Sequence, residues 1–225
     1  LLHPGETLRT PRLTLMAAEG SETRIMNLWR RWYFAHVMPR YNGQPLRPLL
    51  CLHYWKCEDK PEFTAATEEN QLHALHEYIR NGLKPDVCNY VWTYTGTWVE
   101  DKTRFPRGLR PIGEECERQN AALLLWFEPE RVQAGSWLDA HRPEWLLKRT
   151  LPDGSLDNDR LLNLGDPACC EAMIRYISDF IQKNKISIYR QDFNFNPEPF
   201  WRANETGNRI GALENFHGQG YLRYW

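Results

Sequence analysis

Two short polar clusters interrupt apolar runs in this chain, and both hold residue types suited to chemistry at a carbon centre. In Tyr189-Arg190-Gln191-Asp192-Phe193-Asn194 a carboxylate stands between a cation and an amide. In Trp126-Phe127-Glu128-Pro129-Glu130-Arg131 two carboxylates and a guanidinium follow directly on an apolar run. On a β-strand, Arg190, Asp192 and Asn194 point to one face, because side chains alternate with a period of two. A carboxylate held between a cation and an amide stays ionised and fixed in place, as a nucleophile attacking an electrophilic carbon must be. The same three residues also read as a structural Arg–Asp pair closing a strand end, and the pattern alone leaves both readings open. For Glu128 and Glu130, bonds to neighbouring loop backbone and to Arg131 are favoured over catalysis.

The elements that must position these clusters are written in the apolar pattern. Short apolar runs at 49–55, 87–92, 121–127 and 186–193 are separated by segments long enough for a crossover. Helical spacing is clearest at 68–81 and at 167–183, where Met173, Ile174, Ile177 and Ile181 share a face. Runs that are apolar without alternation suit parallel strands covered on both sides. The expectation is an α/β fold, a parallel sheet with helices outside, either doubly wound or an eightfold barrel. Functional groups then collect at the carboxyl ends of the strands, where both polar clusters fall. No glycine-rich phosphate loop follows the first strand, which argues against a nucleotide-binding sheet. Upstream, Pro4-Gly5-Glu6 and the alternation through Leu13, Leu15 and Ala17 predict a turn feeding a strand. Leu28, Trp32 and Ala35 predict a helix over 22–37, ended by Pro39, Asn42-Gly43 and Pro45.

Composition narrows the class of partner. With 28 basic and 29 acidic residues evenly mixed and a net charge of −1, no field draws nucleic acid or an anionic membrane. Apolar runs such as 121–127 are too short to span a bilayer, and nothing at the start resembles a signal segment. The chain begins at Leu1 and ends on an aromatic run, so either end reads as a cut. Six cysteines without paired spacing read as reduced thiols, which points to the cytoplasm. A zinc site from Cys51, His53 and Cys57 is conceivable, yet ordinary packing is the stronger reading; His73 and His76, one helical turn apart, lack a third ligand. No signal for a metal or an organic cofactor is present. Ten Trp beside ten Tyr and nine Phe supply flat apolar faces that suit sugar rings, although aromatic residues also build cores.

The two clusters carry a resemblance. Tyr189 to Asn194 resembles the fourth-strand motif of glycoside hydrolase family 36, the melibiase or α-galactosidase type, usually Lys-Trp-Asp-x-Asn. Leu125 to Arg131 resembles its third-strand motif. Asp101-Lys102-Thr103-Arg104-Phe105-Pro106-Arg107-Gly108-Leu109, His141-Arg142-Pro143-Glu144-Trp145 and Leu162-Asn163-Leu164-Gly165-Asp166-Pro167 are similar to the same family in the same order. Pro4-Gly5-Glu6 with Thr10-Pro11-Arg12 is similar to the end of the β-sandwich that precedes the barrel.

The resemblance implies residues 1–20 as the end of a β-sandwich domain, 21–47 as a linker helix and loop, and 48–225 as an incomplete (β/α)8 TIM barrel of about four βα units. It implies a retaining hydrolase acting on terminal α-galactosyl groups, with Asp192 as nucleophile and no cofactor. Trp126, Arg190 and Asn194 would contact the sugar, with Arg160 a further candidate near a sugar-binding Arg of the family. Arg190 stands where the family usually has Lys, and a planar fork does not replace a point charge. Retaining hydrolysis needs a second carboxyl group at roughly 5–5.5 Å from the nucleophile. In the family it comes from a later strand, beyond a Ser-Gly-Gly segment, and this sequence stops before either. An Asp-containing loop after the second strand is also missing between Tyr90 and Trp98. Alone, the chain is therefore expected to lack significant hydrolysis, and to self-associate or be completed by another segment. The alternatives are an α-N-acetylgalactosaminidase, a degenerate sugar-binding protein of the same fold, or a non-carbohydrate α/β enzyme that shares only a barrel.

Overall fold

The computed structural model describes residues 2, 4–7, 10, 12–46, 49–53, 66–83, 87–90, 98–194, 196–207 and 210–225. Two compact units are distinguished, Gly5–Leu49, and Leu1–Pro4 with Leu50–Trp225.

In the smaller unit, α1 (Glu22–His36) begins at Ser21, whose hydroxyl accepts the Arg24 N–H at 3.4 Å. Glu22 in the first turn and His36 in the last complement the helix dipole. Strands β1 (Arg40–Tyr41) and β2 (Gln44–Pro45) pair antiparallel across Asn42-Gly43. Both turn residues have positive φ, 50° and 76°, the geometry for which Asn-Gly is suited. The strand expected through Leu13 and Leu15 is not formed: residues 12–19 enter no sheet, and these leucines are 82% and 86% exposed. Alternation marks an apolar face, but a strand exists only where a neighbour takes its backbone N–H and C=O groups.

The larger unit is built on a four-stranded parallel sheet of β3 (Cys51–His53), β4 (Val87–Tyr90), β5 (Ala122–Phe127) and β9 (Ile188–Gln191), in that spatial order. All four fall inside the apolar runs predicted as strands. Helices α2 (Glu68–Arg80), α3 (Arg110–Arg118) and α5 (Pro167–Asn184) are the crossovers. Alternation along β5 is strict: Leu123, Leu125 and Phe127 are buried while Ala122, Leu124 and Trp126 are half-buried. The buried set joins Leu75 of α2, Ile112 and Cys116 of α3, and Met173, Ile177 and Phe180 of α5 in one core. Each large apolar side chain so buried contributes roughly 1.5–3 kcal/mol. Gly113 lets α3 meet the end of α5, since a Cβ there would lie 2.3 Å from the Asn184 carbonyl oxygen.

The quoted motifs secure this frame. The Asp101 carboxylate accepts the Thr103 N–H and the Arg104 Nε–H, each at 2.9 Å, while Phe105 and Leu109 enter the core. Asp166 caps α5, its Oδ1 accepting from the N–H groups of Ala168 at 2.8 Å and Cys169 at 3.0 Å, with Pro167 in the first turn.

Between β5 and α5 the chain builds a second, antiparallel sheet that the apolar pattern did not announce. It contains β6 (Arg131–Gln133), β7 (Leu146–Leu147) and β8 (Asp159–Leu162) in the order β6-β8-β7, with α4 (Trp137–His141) and a 3-10 turn (Pro143–Trp145). After β9 come α6 (Glu198–Asn204) and α7 (Leu213–Tyr224). Gly220 brings α7 onto the chain before α5: a Cβ at this position would fall 1.8 Å from the Leu164 carbonyl oxygen.

Candidate functional site

Strands β5 and β9 lie side by side, with Trp126 opposite Arg190 and Phe127 opposite Gln191. The Asp192 N–H donates to the Phe127 carbonyl at 2.8 Å, which carries the ladder one residue beyond β9 and fixes the backbone of Asp192 at the carboxyl end of the sheet. The guanidinium of Arg190 lies over the Trp126 ring, 4.1 Å from its centroid, an attractive cation–π arrangement. Arg190 Nη2 is 3.9 Å from Asp192 Oδ2, and Asn194 Nδ2 donates to Asp192 Oδ1 at 3.0 Å. Trp126, Arg190, Asp192 and Asn194 thus form one cluster. The Asp192 and Arg190 side chains are 30% and 47% exposed, so a solute can reach them. An ion pair of this length and exposure contributes little to stability.

Glu128 holds the loop of the cluster. Its Oε1 accepts the Asn194 N–H at 3.0 Å and its Oε2 accepts the Arg131 Nε–H at 3.0 Å. Arg160 is nine-tenths buried on β8, with Nε 3.3 Å from Asp139 Oδ1 and Nη1 bonded to the carbonyls of Asp157 and Asp159. None of these contacts joins Arg160 to the Asp192 cluster.

Behind the cluster, on the other face of β9, lies a polar network for which no single sequence motif stands. Glu130 is fully buried, and burial pushes its carboxyl up to about 7. Its Oε1 accepts from Gln191 Nε2, which also donates to the Tyr221 hydroxyl. The Tyr189 hydroxyl donates to Gln191 Oε1 at 3.0 Å and shares a hydrogen bond with the Tyr224 hydroxyl, also at 3.0 Å. The available signal was an amide in the middle of an apolar strand, on the face opposite Arg190 and Asp192.

Residues 91–97, where the Asp-containing loop is missing, and Cys57 of the zinc reading lie outside the described residues. Among the described residues no group of three or more His, Cys, Asp or Glu is arranged to hold a metal. His76 instead meets Glu115 at 2.9 Å; bonds from Gln119, Arg118 and His76 hold that carboxyl down at about 2. Among the described residues, no helix is long and apolar enough to cross a membrane.

A family model described as melibiase matches residues 65–206. Among curated proteins, the chain is 32% identical over 212 residues to a probable alpha-galactosidase C of Aspergillus flavus, covering 86% of this chain and 28% of that protein. It is 26% identical over 212 residues to a probable alpha-galactosidase G of Aspergillus terreus, with 86% of this chain and 29% of that protein covered. Among solved structures, a GH36 alpha-galactosidase of Geobacillus stearothermophilus in complex with stachyose superposes with a TM-score of 0.64 at 19% identity, over 79% of this chain and 25% of that one. An alpha-galactosidase of Thermus thermophilus, also with stachyose, gives 0.60 at 19% identity, over 91% of this chain and 42% of that one. The chain therefore spans under a third of the length of these curated relatives and has the α/β fold of the corresponding part of GH36 enzymes. With the family model covering more than half of its residues, the chain belongs to the melibiase family.

Proposed function

We propose that this chain is the nucleophile-bearing part of a retaining glycoside hydrolase that removes terminal α-galactosyl groups from oligosaccharides. The observation that carries this is Asp192, held past the end of β9 between Arg190 and Asn194, with the Arg190 guanidinium lying over the face of Trp126. A carboxylate oxygen of Asp192 attacks the anomeric carbon, the glycosidic C–O bond breaks, and the electron pair leaves with the aglycone oxygen. That oxygen takes its proton from a second carboxyl group, which we assign to a segment beyond this chain. Trp126 offers a flat face to the ring, and Arg190 and Asn194 offer N–H groups to its hydroxyls. Arg160 belongs to the proposal only through its place in the sequence near where the family has a sugar-binding Arg, its described partners being Asp139 and the carbonyls of Asp157 and Asp159. Stachyose in the solved relatives supports a galactosyl oligosaccharide as the substrate class.

The sheet order supports an incomplete barrel. Strands β3, β4, β5 and β9 stand in chain order and run parallel, as the first four strands of a (β/α)8 barrel do. Among the described residues β9 is one edge of the sheet, and a following strand that paired there would bring the acid/base group toward Asp192. Within this proposal, residues 48–225 are the barrel portion, 21–47 a linker helix and loop, and 1–20 the end of a β-sandwich domain. The free thiols of Cys51, Cys169 and Cys170 support a cytoplasmic location.

A second reading, a sugar-binding protein that no longer hydrolyses, is favoured by the missing Asp-containing loop between Tyr90 and Trp98. The two are separated by assaying an aryl α-galactoside, and an aryl α-N-acetylgalactosaminide, with the chain and with its Asp192→Ala variant. We expect no significant turnover by the chain alone. Turnover would begin when the remaining strands are supplied, and Asp192→Ala would abolish it. Sugar binding without turnover in the completed protein would select the second reading, and turnover untouched by Asp192→Ala would contradict both.

A further inference from the structure

We propose that Glu130 and Gln191 are positioning residues that hold Asp192 at its attack geometry from behind the sheet, through a buried amide–carboxyl contact tied to α7. This rests on the reading of Asp192 as nucleophile. Gln191 directly precedes Asp192 and points to the opposite face of β9, where the related motif usually has Trp. Its amide makes three bonds: Nε2 donates to Glu130 Oε1 and to the Tyr221 hydroxyl, and Oε1 accepts from Tyr189. Glu130 comes from the turn after β5 and Tyr221 from α7, so one side chain joins the sheet end to two other elements. The second oxygen of Glu130, Oε2, is buried without a hydrogen-bond partner among the described residues.

An unpartnered oxygen in a fully buried carboxyl makes the network depend on protonation. The titratable and charged groups facing Glu130 are Glu128 from its own turn, Tyr189 from β9, and Tyr221 and Tyr224 from α7. Each of these is an acid, so loss of the Glu130 proton leaves a buried anion with amide and hydroxyl neighbours alone. With Glu130 titrating at about 7, its protonated fraction falls from about nine-tenths at pH 6 to about one-tenth at pH 8. Ionisation strengthens the Gln191 Nε2–H bond to Glu130 Oε1 itself, but the buried anion has no facing cation among the described residues, so the turn that carries Glu130 opens to hydrate it and the hold on Gln191, and through it on the backbone of Asp192, is lost over the same range.

The test uses α-galactosyl fluoride, whose fluoride departs without a protonated acid, so that transfer to Asp192 is read without the missing group. The 225-residue chain is labelled across pH 5–9 beside Glu130→Gln, an isostere that cannot ionise. We expect labelling of the parent chain to fall about tenfold from pH 6 to pH 8, following that protonated fraction. Glu130→Gln should label at a rate nearly independent of pH in this range. Identical profiles for the two would overturn the proposal. Absence of label at every pH would count against Asp192 as nucleophile instead. Hydrogen exchange of residues 188–192, corrected for its intrinsic pH dependence, would then decide the positioning claim. Loss of protection above pH 7 in the parent chain supports it, and constant protection overturns it. Should Glu130→Gln fail to fold, the parent exchange profile decides by the same criterion.

Discussion

Arg190, Asp192 and Asn194 were legible as one constellation because a strand's period of two is a purely local rule. Their partners Trp126 and Glu128 were visible as candidates in a second run, whereas the register that joins the runs comes from the β5–β9 ladder. Gln191 could not be read this way, since its amide meets Glu130 and Tyr221, 61 and 30 residues distant. Two expectations belong to single residues. Arg190→Ala should weaken binding of an α-galactoside by about tenfold or more through loss of charge-assisted bonds to hydroxyls, while Arg190→Lys should restore only part, measured by titration in the completed protein. For Glu130, the folded-state value of about 7 lies above the ordinary 4.5, so the folded chain holds a proton that the unfolded chain releases. Its stabilisation is complete below about pH 4.5 and is lost as pH rises to about 7, a change of roughly 3 kcal/mol at most. Urea unfolding should therefore find Glu130→Gln more stable than the parent at pH 8 and no more stable at pH 4.5. His217 has the opposite sign. Burial lowers it from 6.5 to about 4, so its contribution is present above pH 6.5 and is lost as pH falls toward 4.

At the scale of elements, the sheet strands and the long helices were readable, and the insert was not. A buried parallel strand needs a continuous apolar run, and α5 writes its face at helical spacing with Asp166-Pro167 as a start signal. Strands β6, β7 and β8 are two to four residues long, too short to show a period, and they pair with one another rather than with the main sheet. Helices α6 and α7 follow proline, asparagine and glycine punctuation that reads equally well as loop. Asp166→Ala removes the acceptor for two orphan N–H groups of α5 and should cost about 1 kcal/mol, seen as a lower urea midpoint with an unchanged slope. Gly220→Ala places a methyl where the Leu164 carbonyl stands, so α7 must shift. Hydrogen exchange should rise across α7 and β9 together, because Tyr189 and Gln191 of β9 are tied to Tyr224 and Tyr221 of α7.

At the scale of the whole molecule, β9 is an edge of the parallel sheet among the described residues and leads directly to Asp192, and the face bearing Leu124 and Trp126 is only half-buried. An exposed edge and an uncovered apolar face favour association with another chain. Sedimentation of the isolated chain should show concentration-dependent oligomers, and supplying the remaining strands should return a single species. Family and order of motifs were written in the sequence, while the extent of the site was legible only as a gap, because a catalytic pair needs a second carboxyl group on another strand. The most direct measurement is mass spectrometry of the chain after incubation with α-galactosyl fluoride, followed by peptide mapping. We expect a single galactosyl unit esterified to Asp192 that persists, the base that activates water being the group assigned above to another segment, and no such ester in Asp192→Ala. An ester on a different residue, or none at any concentration of the fluoride, would contradict the assignment of Asp192 as the nucleophile.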